Sequence, residues 1–268
     1  MPMQNRQHTL FIFDLDGVIY RGDSVLPYAA DAIAALRAAG VSPFFFTNNS
    51  TRTRESYARK LSAMGIPARV EEIMTSAYAT ALYFQEQGLS GSAAYVVGEE
   101  GIVDELSRVG VRVVLGEDIE DVQSVVVGLD REFTYHKLLL AQQAIRRGAR
   151  FIATNGDLTF PIENGKVIPG GGSLVAAVQA ASGKTPVVIG KPELYALHKI
   201  LELTGRQPCE TTLVGDRLDT DVLGGRRVGF RTVLVLTGVT TAEEAAQAPA
   251  EMRPDRVLSN LSRLPELL

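Results

Sequence analysis

The stretch Phe11-Ile12-Phe13-Asp14-Leu15-Asp16-Gly17-Val18 decides how the rest of this 268-residue chain is read. An apolar run over 9–13 ends in two acids two positions apart, followed by glycine. A short run of this kind reads as a strand buried on both faces of a parallel sheet. In open α/β sheets ligands bind beyond the carboxyl ends of the strands, so Asp14 and Asp16 leave the strand where a site would form. In extended backbone, residues two apart share one face. Where the chain turns, one of them offers its backbone carbonyl instead. The bland alternative is a strand followed by an Asp-Gly turn.

Working outward, strand-like runs alternate with helical patterns. Residues 27–39 form an alanine-rich helix closed by Gly40, residues 41–46 a strand, and residues 53–64 a helix ending at Gly65. A short run near Ile73 feeds a helix over 76–87. This spacing implies βαβ units and a parallel sheet. From about residue 92 the pattern restarts, with strands at 93–97, 111–115 and 122–127 and helices at 133–147 and 173–182. Beyond Pro186, strands at 187–189, 212–214, 231–235 and 256–258 return to the opening style. The expected fold class is α/β with a parallel sheet, and periodicity leaves open whether the middle is a second domain inserted into the first.

Three further strand ends carry chemistry. Thr47-Asn48-Asn49-Ser50 follows an apolar run. A hydroxyl and amides there can donate to phosphate oxygens, and the start of the next helix adds backbone N–H groups; simple capping by Asn49 or Ser50 is the structural alternative. Lys191 follows the strand at 187–189, with Pro192 suited to a first helical position; a solvated surface lysine is the alternative. Gly215-Asp216-Arg217-Leu218-Asp219-Thr220-Asp221 closes the strand at 212–214. Three acids within six positions repel one another unless a cation lies among them. Interaction with a helix macrodipole accounts for one of them more easily than for all three.

Taken together in order, Asp14-Leu15-Asp16, Thr47, Lys191 and Gly215-Asp216 to Asp221 resemble the four motifs of the haloacid dehalogenase superfamily. Val127-Gly128-Leu129-Asp130, Ala153-Thr154-Asn155-Gly156-Asp157, Pro169-Gly170-Gly171-Gly172-Ser173 and Gly190-Lys191-Pro192 extend the resemblance to its subfamily IIA. These are phosphatases with a large inserted C2-type cap, including NagD-type, p-nitrophenylphosphatase-like and phosphoglycolate phosphatase-like members. The resemblance implies a Rossmann-like core at 1–79 and 186–268 and a cap at 80–185. It implies Asp14 as nucleophile and Asp16 as general acid and base. Thr47, Asn48, Asn49 and Lys191 would bind phosphate. Mg²⁺ would be held by the Asp14 carboxylate, the Asp16 carbonyl and Asp216, with Asp221 behind them. Asp130 and 155–160 are candidate selectivity positions in the cap.

The implied function is Mg²⁺-dependent hydrolysis of small phosphorylated metabolites through an aspartyl-phosphate. A phosphotransferase of the same fold and a non-catalytic phosphometabolite-binding protein are the alternatives. The second acid at Asp16 separates this chain from dehalogenases, which lack it, and from ion-pumping ATPases, which carry threonine there. Competing phosphate motifs fail: Gly183-Lys184-Thr185 lacks the earlier glycine of a P-loop, where Val178 stands, and Gly170-Gly171-Gly172 is no dinucleotide fingerprint.

Composition sets the outer limits. Hydrophobic residues make up 46% and charged residues 22%, as in ordinary globular proteins. Lys and Arg number 27 against 31 Asp and Glu, a net charge of −4, which disfavours nucleic acid and anionic membrane as partners. The lone cysteine, Cys209, allows no intrachain disulfide, and three histidines are too few for His-rich zinc chemistry. No apolar run approaches the roughly 20 residues of a membrane span, and the first residues do not read as a signal peptide. The expected location is the cytoplasm. Cap-to-cap homodimers occur in the resembled family and are an assembly open to this chain.

Overall fold

The computed structural model describes residues 10–161 and 166–267. Residues 1–9, the first part of the stretch read as lacking a signal peptide, lie outside them. The described chain divides into two compact units. One comprises residues 10–47, 57–74 and 191–267; the other comprises residues 48–56 and 75–190. The second unit therefore starts five residues before the expected 80 and ends five after 185. It also takes in the segment after Thr47, because the first turn beyond that strand bonds to residues of the inserted stretch, as described below.

The first unit is built on a six-stranded sheet. Its order is Arg256–Leu258, Arg231–Val235, Thr211–Gly215, Leu10–Phe13, Ser42–Thr47 and Ile73–Thr75. It is parallel from Arg256–Leu258 through Ser42–Thr47. Leu10–Phe13 is buried on all four residues. That is what an uninterrupted apolar strand in the middle of a parallel sheet requires. Phe13 stacks on Phe11 and lies tilted against Phe45, with ring centroids 6.3 and 6.2 Å away. The helix Ala29–Ala38 buries Ala29, Ala32, Ile33 and Leu36, one stripe at helical spacing. Each such Ile, Leu or Phe removed from water contributes roughly 1.5–3 kcal/mol. The helix begins two residues later than expected because Tyr28 adopts a left-handed conformation, φ 67°, that no helical residue can hold.

Register is what builds the site. Phe13 lies opposite Val214 on one side and Phe45 on the other. The residues that follow, Asp14, Gly215-Asp216 and Phe46-Thr47, therefore emerge side by side at the carboxyl edge. The Asp14 amide donates to the Val214 carbonyl at 2.9 Å, holding the nucleophile candidate in this register past the end of its strand.

The second unit has its own parallel sheet, ordered Val187–Val188, Arg150–Ala153, Ser124–Val127, Ala93–Val97 and Arg112–Val114. Helices Glu100–Arg108, Tyr135–Arg146 and Gly171–Ser182 accompany it. An antiparallel hairpin, Thr159–Pro161 with Val167–Pro169, stands apart from the sheet. The hairpin and the strand Arg150–Ala153 were not among the expected strands. The first pairs two three-residue strands, too short to show periodicity, and the second is a four-residue run.

The triple glycine serves packing. A Cβ on Gly172 would lie 2.2 Å from the Gly156 carbonyl oxygen, and one on Gly170 2.2 Å from that of Asp157. Only glycines let the helix start approach the loop at 155–157 this closely.

Candidate active site

Four of the residues singled out above meet at the carboxyl edge of the first unit's sheet. Lys191 projects its ammonium between two carboxylates, with Nζ 2.7 Å from Asp14 Oδ1 and 2.7 Å from Asp221 Oδ1. It also donates to the Phe46 carbonyl at 3.3 Å and lies 4.7 Å from the centre of the Phe46 ring. Its exposure is 2%, so the solvated-lysine alternative does not describe it. Burial alone would lower a lysine's pKa, but the Asp14 and Asp221 carboxylates outweigh it and hold this ammonium above the ordinary lysine value.

Asp221 comes from a π-helical turn, Leu218–Val222, directly after the strand Thr211–Gly215. Such turns recur at functional sites because they re-aim side chains. Here the turn folds Asp221 back under the strand end. A Cβ on Gly215 would lie 2.2 Å from Asp221 Cβ, which is why glycine stands before Asp216. The Arg217 amide donates to Asp221 Oδ2 at 3.2 Å. Asp219, the middle acid of the run, pairs with Arg217 near the surface.

Asp216 is buried. Its Oδ2 accepts from the Val239 amide at 2.8 Å. Its Oδ1 is buried with no hydrogen-bond partner among the described residues. Carboxylate oxygens of Asp14, Asp216 and Asp221 all lie within 4.8 Å of one another. Three carboxylates against one ammonium leave two negative charges in a desolvated place. Burial, with the neighbouring carboxylates, accordingly pushes Asp14 well above the ordinary range. Burial first, then Asp221, raises Asp216 to about 7. An orphaned oxygen, oxygen donors alone and two uncompensated negative charges are what a hard divalent cation matches.

Asp16 is half-buried, and Tyr20 Oη lies 3.5 Å from its Oδ2. The chain turns back at this point, with the Gly17 amide bonded to the Tyr20 carbonyl at 2.8 Å. Thr47 ends the strand beside Leu10–Phe13 and is buried.

Asn48 and Asn49 group with the second unit instead. Asn48 Nδ2 donates to the Asp157 carboxylate at 3.1 Å, and its carbonyl accepts from Ser76 Oγ at 2.5 Å and from Asn155 Nδ2 at 2.8 Å. Asn49 Oδ1 accepts from both the amide and the hydroxyl of Thr51, a turn-capping arrangement. Asp130, expected at a selectivity position, binds Lys137 Nζ at 2.7 Å through one oxygen and the Glu132 amide at 2.9 Å through the other.

One segment went unread in the sequence. Residues 237–240 follow the strand Arg231–Val235 and reach Asp216. The signal was present, since Thr237-Gly238-Val239-Thr240 is small and polar at yet another strand end.

A parallel sheet whose central strand ends in an aspartate, braced by a buried lysine and facing further carboxylates, defines a class of hydrolase. The model of the family described as haloacid dehalogenase-like hydrolase matches residues 11–112, and a HAD-hydrolase-like model matches residues 188–264. The chain belongs to the haloacid dehalogenase-like hydrolase family, and within it stands with the phosphatases. It is 41% identical over 239 residues to an acid sugar phosphatase of Staphylococcus aureus, covering 89% of this chain and 90% of that protein. The p-nitrophenyl phosphatase from Archaeoglobus fulgidus superposes with a TM-score of 0.90 at 34% identity, covering 97% of this chain and 99% of that one. The glycerol phosphate phosphatase from Mycobacterium tuberculosis, solved in complex with magnesium, gives a TM-score of 0.87 at 34% identity, over 98% of this chain and 79% of that one.

Proposed function

We propose that this chain hydrolyses phosphomonoesters of small polyhydroxylated metabolites, sugar phosphates and glycerol phosphate among them, with Mg²⁺ held at the carboxylate cluster. The observation that carries the reading is the Lys191 ammonium shared between Asp14 and Asp221, beside the orphaned Oδ1 of Asp216. The substrate class rests on what the relatives act on, an acid sugar phosphatase and a glycerol phosphate phosphatase.

In this reading Asp14 attacks phosphorus through its carboxylate. The P–O bond to the leaving alcohol breaks as the new acyl-phosphate bond forms. Asp16 gives its proton to the departing oxygen, then takes one from the water that attacks the aspartyl-phosphate, returning free Asp14 and inorganic phosphate. Lys191 holds the Asp14 carboxylate in one orientation and offsets charge on the transferred group. Asp221 acts on Lys191 rather than on phosphate. Thr47 would donate its hydroxyl to a phosphoryl oxygen. Asp14, Asp216 and the Asp16 carbonyl would hold the ion. When bound, Mg²⁺ supplies positive charge that lets a carboxylate approach a phosphate dianion.

The cytoplasm is the proposed location. A single cysteine suits a reducing compartment, and no helix among the described residues is long and apolar enough to cross a membrane.

The test is hydrolysis of p-nitrophenyl phosphate with and without Mg²⁺, followed by a panel of sugar, glycerol and nucleotide monophosphates ranked by kcat/KM. Metal-dependent turnover with sugar or glycerol phosphates at the head of the ranking is expected. Undiminished turnover in excess EDTA would remove the metal from the scheme.

A further inference from the structure

The segment 237–240 makes no contact that the reaction scheme above requires, yet it grips Asp216 from several sides. The Val239 amide donates to Asp216 Oδ2 at 2.8 Å, and the Thr240 amide to the Asp216 carbonyl at 3.1 Å. Thr237 Oγ1 donates to the Gly17 carbonyl at 2.6 Å, and Arg21 Nη2 to the Thr237 carbonyl at 2.6 Å. The segment is thus tied both to the carboxylate and to the turn that follows Asp16.

Close packing completes the grip. A Cβ on Gly238 would lie 1.8 Å from Asp216 Oδ2 and 2.4 Å from its Cγ. A Cβ on Gly17 would lie 2.5 Å from the same Oδ2. Real side chains never approach so near, so two glycines form the walls of a slot holding one oxygen. Gly17 has a φ of +83°, which by itself favours glycine. Gly238 is not among the glycines with positive φ, so the slot is its own reason for lacking a side chain. The two carboxylate oxygens are thereby made unequal: Oδ2 is enclosed and hydrogen-bonded, while Oδ1 is buried and has no hydrogen-bond partner among the described residues.

We propose that residues 237–240, with Gly238 at their centre, form a positioning loop that retains Asp216 Oδ2 and leaves Oδ1 alone for the cation. The loop acts through Asp216 and touches no reacting atom. The inference rests on the reading of Asp216 as a metal ligand. A carboxylate held to one rotamer loses no freedom on taking up an ion, whereas one displaced by a methyl group must either turn away or push the loop out.

The experiment is titration calorimetry of the metal-free full chain with MgCl₂ alone, repeated for Gly238→Ala, Thr237→Val and Asp216→Ala. Gly238→Ala should raise the Mg²⁺ dissociation constant at least tenfold. In assays it should shift the Mg²⁺ concentration for half-maximal turnover by a similar factor, with KM for p-nitrophenyl phosphate at saturating metal changed less than threefold. Thr237→Val, which frees the loop from the Gly17 carbonyl, should weaken Mg²⁺ two- to fivefold. Wild-type Mg²⁺ affinity in folded Gly238→Ala overturns the positioning role. Should that variant not fold, unchanged affinity in Thr237→Val overturns it instead. Asp216→Ala separates the two ideas: if it binds Mg²⁺ as the wild type does, the reading of Asp216 as a ligand fails. If it loses binding while Gly238→Ala keeps it, only the loop's role fails.

Discussion

Lys191 and Asp14, 177 positions apart in the chain, are joined by a buried ion pair 2.7 Å long. The same ammonium is joined at 2.7 Å to Asp221, so one cation serves two carboxylates that would otherwise repel each other. That sharing gives Lys191 a structural part beside the role proposed for it.

Removing it should therefore have two consequences. Lys191→Met keeps most of the stem's volume and leaves Asp14 and Asp221 buried without their cation. Breaking a buried pair by deleting one partner costs about 3–5 kcal/mol. Metal-free Lys191→Met should show a clear loss in the urea midpoint relative to wild type, and turnover should fall to background. Lys191→Arg should not restore activity, since a planar guanidinium cannot occupy the point between the two carboxylates that an ammonium fills.

The two acids of the opening motif should separate by experiment. Asp14→Asn retains shape and removes the nucleophile, so turnover and phosphoenzyme should both disappear. Asp16→Asn retains the backbone carbonyl and removes the proton carrier. Turnover should drop by about 10²–10⁴-fold, the range of general acid–base catalysis. The loss should be least for esters with good leaving groups, and a trapped adduct on Asp14 should be detectable by rapid-quench mass spectrometry. Phosphate found on any other residue would refute the covalent scheme.

Beside the raised Asp14, the raised Asp216 contributes to the pH dependence of the metal-free protein. Its pKa in the fold, about 7, lies above the ordinary carboxylate value, chiefly through burial. The stability it contributes is complete at pH values below its unfolded value near 4 and is lost as pH rises through about 7. In EDTA, the melting temperature of wild type relative to Asp216→Asn should therefore decline between pH 5 and pH 8. Added Mg²⁺ should reverse the decline, and metal uptake should release protons near pH 6 but not near pH 9. A flat difference across this range would contradict the burial of an unpaired carboxylate at this position.

In the second unit, Asp130 and Phe160 should behave differently. Both oxygens of Asp130 are engaged within its own unit, by Lys137 and by the Glu132 amide. Asp130→Ala should lower stability by about 1–3 kcal/mol and leave the ranking of substrates unchanged. Phe160 stands in the short hairpin Thr159–Pro161 with Val167–Pro169, beside the exposed Leu158 and Val167. Phe160→Ala should reorder substrates while p-nitrophenyl phosphate turnover falls less than fivefold. Reordering by Asp130→Ala at unchanged stability would reverse the assignment.

Much of this protein is written locally. Alternating apolar runs and capped helical patterns specify parallel α/β architecture because burial on both faces demands uninterrupted strands such as Leu10–Phe13. The strand ends at Asp14, Thr47 and Asp216 are legible for the same reason: the sheet exports whatever follows its strands to one edge, whereas Lys191 follows a strand of the other sheet. The sequence alone therefore determined the fold class and the roster of chemical groups. What it left open needed coordinates in space. That Asn48 meets Asp157 and that Asn49 Oδ1 meets the Thr51 amide are contacts no spacing rule gives. That Asp221 braces Lys191 followed from a π-helical turn, and that Gly238 walls in Asp216 followed from two strand ends brought together by sheet register. Such relations depend on which strands are neighbours and how closely atoms approach. Pairing energy and steric exclusion set both across the whole fold, and neither leaves a periodic trace along the chain.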